Sequence, residues 1–457
     1  MNPLPRIALS ALCLFSSWTN VPPDDMDKPS AGQHDPGPIV KKEVWIEPPE
    51  PGAAVFGKAE YCAPSGLRMI RLYNTISSSD RMNAQYRQYS EDNGKTWTPP
   101  EKLPDSVRYE GDLRREFADG SPICLDPARN IYVKFSREII MPKGDVLEGC
   151  KQRKVFSQIS QDGGQAFGRL KQLIEKGTEF NATHYLKGVW HKKNSATLNS
   201  HLILSAKELL LAVYIFPVDD KGLLYNPLAG YTYSDIGFIK GTLTDDASDI
   251  EWSTTQTLRL EPALSIRGMS EPSLARLRDG RILCLARGNQ GAQGDATPGG
   301  SWLTVSQDQG RTWTPMKRLF FDDGGILYTP SSISQLLRHS SGRLYWIANI
   351  VSAPAEGNSP RYPLVLAEID EKKAAVIRKS LVVIDTRQET ESDTLQLSNF
   401  NAYEDRESHD IVVTLARLFP KSRTDWTAPL MRYSITLTGQ GNDVSARDAS
   451  STVSELI

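Results

Sequence analysis

The chain has 457 residues and a formal net charge of −2, with 24% charged and 39% hydrophobic residues. That length can bury a large core, and the near-neutral balance argues against a nucleic-acid binder. Beyond the N-terminus no segment offers about 18 consecutive apolar residues, so a helical membrane span is not expected.

In chain order, Arg6 precedes the apolar run Ile7 to Phe15 and then Ser16-Ser17. A charge followed by a short apolar stretch is the layout of a secretory signal peptide, here residues 1–17, and predicts an exported protein, secreted or periplasmic. Cys13 follows Leu12, where a lipoprotein signal would place a small residue, so lipid anchoring has weak support. Residues 18–45, rich in Pro, Asp, Gly and Ser, read as a flexible linker. Residues 46–437 read as one β-rich domain, and 438–457 as a polar tail.

Within that domain one pattern occurs three times: Ser90-Glu91-Asp92-Asn93-Gly94-Lys95-Thr96-Trp97, Ser160-Gln161-Asp162-Gly163-Gly164-Gln165-Ala166-Phe167, and Ser306-Gln307-Asp308-Gln309-Gly310-Arg311-Thr312-Trp313. Each copy follows a β-patterned run such as Gln85 to Tyr89 or Trp302 to Val305. Gly admits positive φ in a tight turn. The Asp accepts backbone N–H groups and holds the turn closed, and the aromatic residue folds back to bury. The pattern lacks the further ligands and closing Glu of a calcium loop, so these aspartates read as turn staples. The first two copies start 70 residues apart and the last two 146 apart, about twice as far. A degenerate unit is therefore expected between them, around Gly237 to Trp252. Repetition at a period of tens of residues indicates a propeller, and residues 46–437 suffice for about six blades. The expected fold is all-β, a six-bladed propeller of four-stranded antiparallel blades.

Between the second and third copies lies Ser270-Glu271-Pro272 through Asp279-Gly280 to Ala286-Arg287, which reads as strand, Asp-Gly turn, strand. Glu271 opens the first strand and Arg287 closes the second, so the hairpin returns both to one end of the blade. After Cys13 the cysteines are Cys62, Cys124, Cys150 and Cys284, which allow three pairings. Their spacing matches no metal site, and Cys62 and Cys284 read as buried thiols beside apolar strands. The six histidines form no HExxH-type cluster, so neither a metal nor a cofactor is expected.

The three boxes and the Glu271–Arg287 hairpin resemble the sialidase (neuraminidase) superfamily of BNR, or Asp-box, repeat proteins. The runs Gly357 to Leu364 and Leu397 to Phe400 resemble bacterial sialidase-like proteins. The resemblance covers most of the chain. It implies that Glu271 activates a tyrosine nucleophile and that Arg287 belongs to a triad clamping a substrate carboxylate. Arg361 is the candidate for a further clamp arginine, since a guanidinium meets a carboxylate with two parallel hydrogen bonds. Asp80, in the loop ten residues before the first box, is the candidate acid/base. Two parts of the family pattern are altered. The stretch that supplies the first triad arginine reads Val55-Phe56-Gly57-Lys58-Ala59-Glu60, so Lys58 could substitute only as a point charge, with Arg68 and Arg71 weaker substitutes. The expected nucleophile maps to Tyr403, although registering the hairpin on its turn puts Phe400 in that place. Tyr328 is another inward candidate.

Three functions fit this reading. The first is an exported sialidase-like glycoside hydrolase of the exo-α-sialidase type, acting on a terminal sialic acid or related acidic sugar with retention. The second is a polysaccharide lyase on uronate-containing glycans, with His184, His191 or His201 as base. The third is a non-catalytic glycan-binding propeller. All three take a carbohydrate partner.

Overall fold

The strand-forming runs are short, rich in β-branched and aromatic residues, and joined mostly by tight turns, so each pairs with its neighbour in sequence. The computed structural model of the chain describes residues 37–142, 151–228, 232–294 and 297–437. It is all-β, with six antiparallel blades around a central channel.

The first blade runs outward through Ala54–Tyr61, Met69–Ser78, Arg81–Ser90 and Glu101–Lys102. The second is irregular. Its long strand Ile131–Met141 pairs with two inner segments, Leu113–Ala118 and Pro122–Asp126, and then with Gln152–Ser160. The third blade is Ala196–Ser205, Glu208–Ile215, Asp235–Leu243 and Ile250–Leu258, so the blade expected between the second and third boxes is present. The fourth is Ser270–Arg276, Ile282–Arg287, Ser301–Ser306 and Lys317–Arg318. The fifth is built on Gln335–Arg338, Leu344–Asn349 and Leu364–Asp370, with Ala375–Val376 and Val382–Asp385 outside.

The sixth blade takes Asn401–Glu404, Ile411–Ala416 and Leu430–Thr436 from the C-terminal part and its outer strand, Ile39–Ile46, from the N-terminal part. This corrects the expected linker boundary. Residues 39–45 are not linker but a strand paired along Leu430–Thr436, and they close the ring. The alternation Val40, Lys42, Val44, Ile46 carried a strand signal that the polar neighbours obscured. The expected signal peptide and the tail from residue 438 lie outside the described residues.

Strands with neighbours on both faces are largely apolar: Ile411–Ala416, where only Thr414 is polar, and Leu209–Val213 are wholly buried. Cys62, Cys124 and Cys284 are free thiols; Cys150 lies outside the described residues.

The boxes join the third strand of a blade to its fourth. In the first, Ser90 Oγ donates to Asp92 Oδ1 (2.8 Å), Asp92 accepts the Thr96 amide (2.9 Å) and hydroxyl (2.6 Å), and Trp97 Nε1 donates to the Gly94 carbonyl (3.0 Å). The third repeats this arrangement around Asp308. Its Trp313 stacks on Phe238 of the preceding blade at 3.8 Å, so the box also fastens one blade to the next. The third blade has a worn copy, in which Thr244 Oγ1 donates to Asp246 at 2.7 Å.

The Thr96 hydroxyl and amide hold Asp92 down to about 2. Slight burial pushes Asp308 up, but the Thr312 bonds outweigh it and hold that carboxyl at about 2 as well. Folded values below the unfolded value of about 3.9 mean that this stabilisation is complete above about pH 4 and is lost as pH falls towards 2. The thermal midpoint of an Asp92→Asn, Asp308→Asn variant is therefore expected below that of the parent at pH 7, with the gap narrowing steadily as pH falls from 4 towards 2. A gap independent of pH would contradict the staple role.

Candidate active site

In the first blade the box sits at one end of the third strand and Asp80 at the other, since Ser90 pairs with Met69 while Arg81 pairs with Ser78. The Asp80 end is where the chemistry-bearing groups gather. Asp80 occupies a two-residue turn at φ 55°. Glu271 is the second residue of the innermost strand of the fourth blade, Arg287 ends the next strand, and Arg361 lies between Leu344–Asn349 and Leu364–Asp370. All four line one cavity of about 910 Å³ at the mouth of the channel. Among the described residues, six cationic side chains and two carboxylates line it, in a chain that is net negative.

Glu271 is aimed by a break in strand register between Ser270 and Ser273. Its φ is 50°, a conformation costly for a side-chain-bearing residue before proline. A bulge of this kind re-aims a side chain, here so that Glu271 Oε2 accepts Arg287 Nη1 at 2.7 Å. Arg287 also donates Nε to Ser331 Oγ (2.8 Å) and Nη2 to Asn358 Oδ1 (3.1 Å). Arg361 donates to Gln396 Oε1 (3.1 Å), Ser398 Oγ (3.2 Å) and the Ser331 carbonyl (3.0 Å). Among the described residues Arg361 makes no ion pair, and its buried Nε has no hydrogen-bond partner. Burial, then repulsion from Arg287, pulls Arg361 down to about 9, with Glu271 and Asp80 opposing. An anion arriving in the cavity would relieve both costs.

Tyr214, at the end of Glu208–Ile215, is the only tyrosine of the described residues that lines this cavity, and it also lines the adjoining channel cavity of about 540 Å³. Reading the sequence missed it, because Leu209 to Ile215 looks like an ordinary buried strand. Its neighbour in electrostatic reach is Arg153.

Several expected residues are placed elsewhere. Tyr403 lies three residues beyond Phe400, roughly 10 Å at the usual rise of a strand. It packs edge-on against Tyr61 (6.1 Å) between the sixth and first blades, whereas Phe400 faces the channel. Tyr328 lines neither cavity and neighbours Arg318. Lys58 lies deeper in the channel, where its Nζ donates to Glu60 Oε1 at 2.6 Å, so it does not join the arginine pair at the mouth. Arg71 is buried between Trp45 and Trp97, and Arg68 pairs with Glu91 at 3.0 Å. Of the three histidines only His201 lines the channel; His184 stacks on Trp190 at 4.5 Å. Desolvation by the channel walls holds the His201 imidazole below its ordinary value although the residue is solvent-accessible, with Glu60 opposing and Lys58 adding to the shift.

The BNR repeat-like domain family matches residues 132–409, well over half of the chain. The chain belongs to that family. No curated protein sequence matches this BNR-repeat protein significantly. Among solved structures it is similar to a protein of unknown function from Dyadobacter fermentans (14% identity, TM-score 0.54, 88% of this chain and 100% of that one). It is also similar to an intramolecular trans-sialidase from Ruminococcus gnavus (12%, TM-score 0.51, 84% and 95%). A third similar structure is an α-L-arabinanase from Penicillium chrysogenum (11%, TM-score 0.51, 88% and 99%). At these identities the likeness is one of fold.

Proposed function

We propose that this protein is an exported glycoside hydrolase of the sialidase-like kind, acting on a terminal acidic sugar. The observation that carries the reading is the convergence of Arg287 and Arg361 with Asp80 and Glu271 on one cavity, where the Nε of Arg361 is buried and, among the described residues, Arg361 makes no ion pair. A planar carboxylate fits that arginine pair. Sialidase and arabinanase structures among the similar folds support a glycosidic substrate.

Tyr214 takes the nucleophile's role expected of Tyr403. A phenol suits an anionic sugar, which would repel a carboxylate nucleophile. Its oxygen bonds to the anomeric carbon as Glu271 takes the phenolic proton, while Asp80 protonates the departing oxygen. Water, deprotonated by Asp80, then displaces the tyrosyl bond, and the phenol regains its proton from Glu271. Charge growing on the phenolic oxygen faces Arg153.

The test is a panel of fluorogenic sialosides and uronides. Release of fluorophore that Glu271→Gln abolishes is the expected result; no release on any acidic glycoside would defeat the reading. Arg361→Lys is expected to raise KM about tenfold, because an ammonium cannot reproduce the paired hydrogen bonds. An unchanged KM would remove Arg361 from the clamp.

One observation favours a lyase as the second reading: His201 shares the channel cavity with Glu271, and a depressed pKa keeps it in the base form. An unsaturated, ultraviolet-absorbing product from uronate polysaccharides, without glycoside cleavage, would select it.

A further inference from the structure

Bond breaking at the anomeric carbon sets a direction. An in-line displacement brings the entering and departing oxygens to opposite faces of the sugar. The blades follow one another round the ring in sequence order, and the sixth touches the first. Tyr214 belongs to the third blade, so the sixth blade lies across the channel from it. Asp80, the acid for the departing oxygen, stands on the first blade, beside the sixth. The leaving group therefore departs towards the wall that the sixth and first blades share.

Trp426, Arg423 and Asn399 of the sixth blade line the mouth cavity on that wall, and Asn399 also lines the deeper cavity, as do Asp80, Tyr214 and Glu271. Two residues beyond Trp426 the chain is pinned to the first blade, where Val55 N donates to the Ala428 carbonyl at 3.0 Å. Trp426 packs in one apolar cluster with Phe56 and Ile76, so its ring lies against the blade that carries Asp80. Phe419 meets it edge-on, with ring centres 5.0 Å apart. Phe419 is buried, and its φ of 63° is a conformation that an aromatic residue adopts only under constraint. The indole is thus held in place while part of it stays open to the cavity. Asn399 and Arg423 are exposed, and neither side chain makes a hydrogen bond or ion pair among the described residues.

A pyranose presents an apolar face of C–H groups and a rim of hydroxyls. A fixed aromatic ring suits the face, and amide and guanidinium groups with free donors suit the rim. We infer that Trp426, with Asn399 and Arg423, binds the leaving group, and that this group is a sugar residue rather than a simple alcohol, so that the substrate is an oligosaccharide or glycan chain ending in the acidic sugar. This inference rests on the proposed hydrolase reading with Tyr214 as nucleophile, and it supplies the half of the substrate that the arginine pair does not hold.

Calorimetry with S-linked probes, which resist hydrolysis, tests it. One pair is the methyl thioglycoside of sialic acid and S-linked sialyl-galactose; the other is methyl thiogalacturonide and S-linked galacturonyl-galactose. In one pair the disaccharide is expected to bind at least about fivefold tighter than the methyl compound. Trp426→Ala should bring the two within about twofold by weakening the disaccharide, while Trp426→Tyr, which keeps an aromatic face, retains the preference. Should Trp426→Ala fail to fold, Arg423→Gln, a change at an exposed side chain, is expected to reduce the preference by about half or more. A smaller preference in both pairs of the parent, or one that Trp426→Ala (or Arg423→Gln in its place) leaves intact, would overturn the inference and leave the hydrolase reading standing. No binding of any of the four would overturn the acidic-sugar reading and this inference together.

Discussion

Tyr214→Phe should lower kcat by about 10⁴-fold on any glycoside the protein cleaves, the order of loss seen when a nucleophile is deleted and binding groups remain. Tyr403→Phe should leave kcat within about twofold. The pair discriminates sharply, because both changes remove one hydroxyl and keep the ring. Tyr214 lines the mouth cavity with Glu271, whereas Tyr403 lies against Tyr61 between blades. KM should move little in Tyr214→Phe, since Arg287 and Arg361 still receive the substrate carboxylate. A further signature separates a nucleophile from a residue that merely shapes the pocket. A fluorinated glycoside that traps a covalent intermediate should label the parent at Tyr214 and leave Tyr214→Phe unlabelled. Labelling at another residue, or full activity in Tyr214→Phe, would remove Tyr214 from the chemistry.

Part of this site could be read from the sequence because the information was local. The boxes are closed turns whose hydrogen bonds run within eight residues, so Ser90, Asp92 and Thr96 announce the geometry by themselves. Glu271 and Arg287 share a hairpin, and an Asp-Gly turn returns them to one end. Arg361 was legible as a guanidinium between two apolar strands. Tyr214 was not, because a tyrosine in the run Leu209 to Ile215 announces burial, and only the closing of six blades turns its end towards the channel. Tyr403 failed on distance along the strand. The family pattern places a tyrosine near the start of the last inner strand, and here Phe400 stands there. Lys58 failed on depth, since four residues into Ala54–Tyr61 is already inside the channel.

Ring closure carries the largest expected effect on stability. Asp385, at the end of an outer strand of the fifth blade, accepts Lys42 Nζ (3.0 Å), Arg417 Nε (2.8 Å) and the Tyr433 hydroxyl (2.5 Å) through one oxygen. Lys42 comes from the N-terminal strand and Tyr433 from the strand it pairs with, so this carboxylate ties the two ends of the propeller to the blade beside them. Arg417 also pairs with Glu391. Burial pushes the Asp385 carboxyl up, but Tyr433, Lys42 and Arg417 together hold it below its ordinary value. Asp385→Ala should therefore cost about 3–5 kcal/mol, because Arg417 and the Tyr433 hydroxyl lose a buried partner. Lys42→Met should cost under about 1 kcal/mol, since Lys42 is 40% exposed and its charge is solvated without the pair. The sign with pH follows from the depressed value. The Asp385 contribution is present above about pH 4 and is lost as pH falls further, so the parent and Asp385→Ala should converge in acid. Chemical denaturation at pH 7 and at pH 3 measures both. An equal loss in Asp385→Ala and Lys42→Met would place the closure in the strand pairing of Ile39–Ile46 alone, rather than in the carboxylate that joins it to the fifth blade.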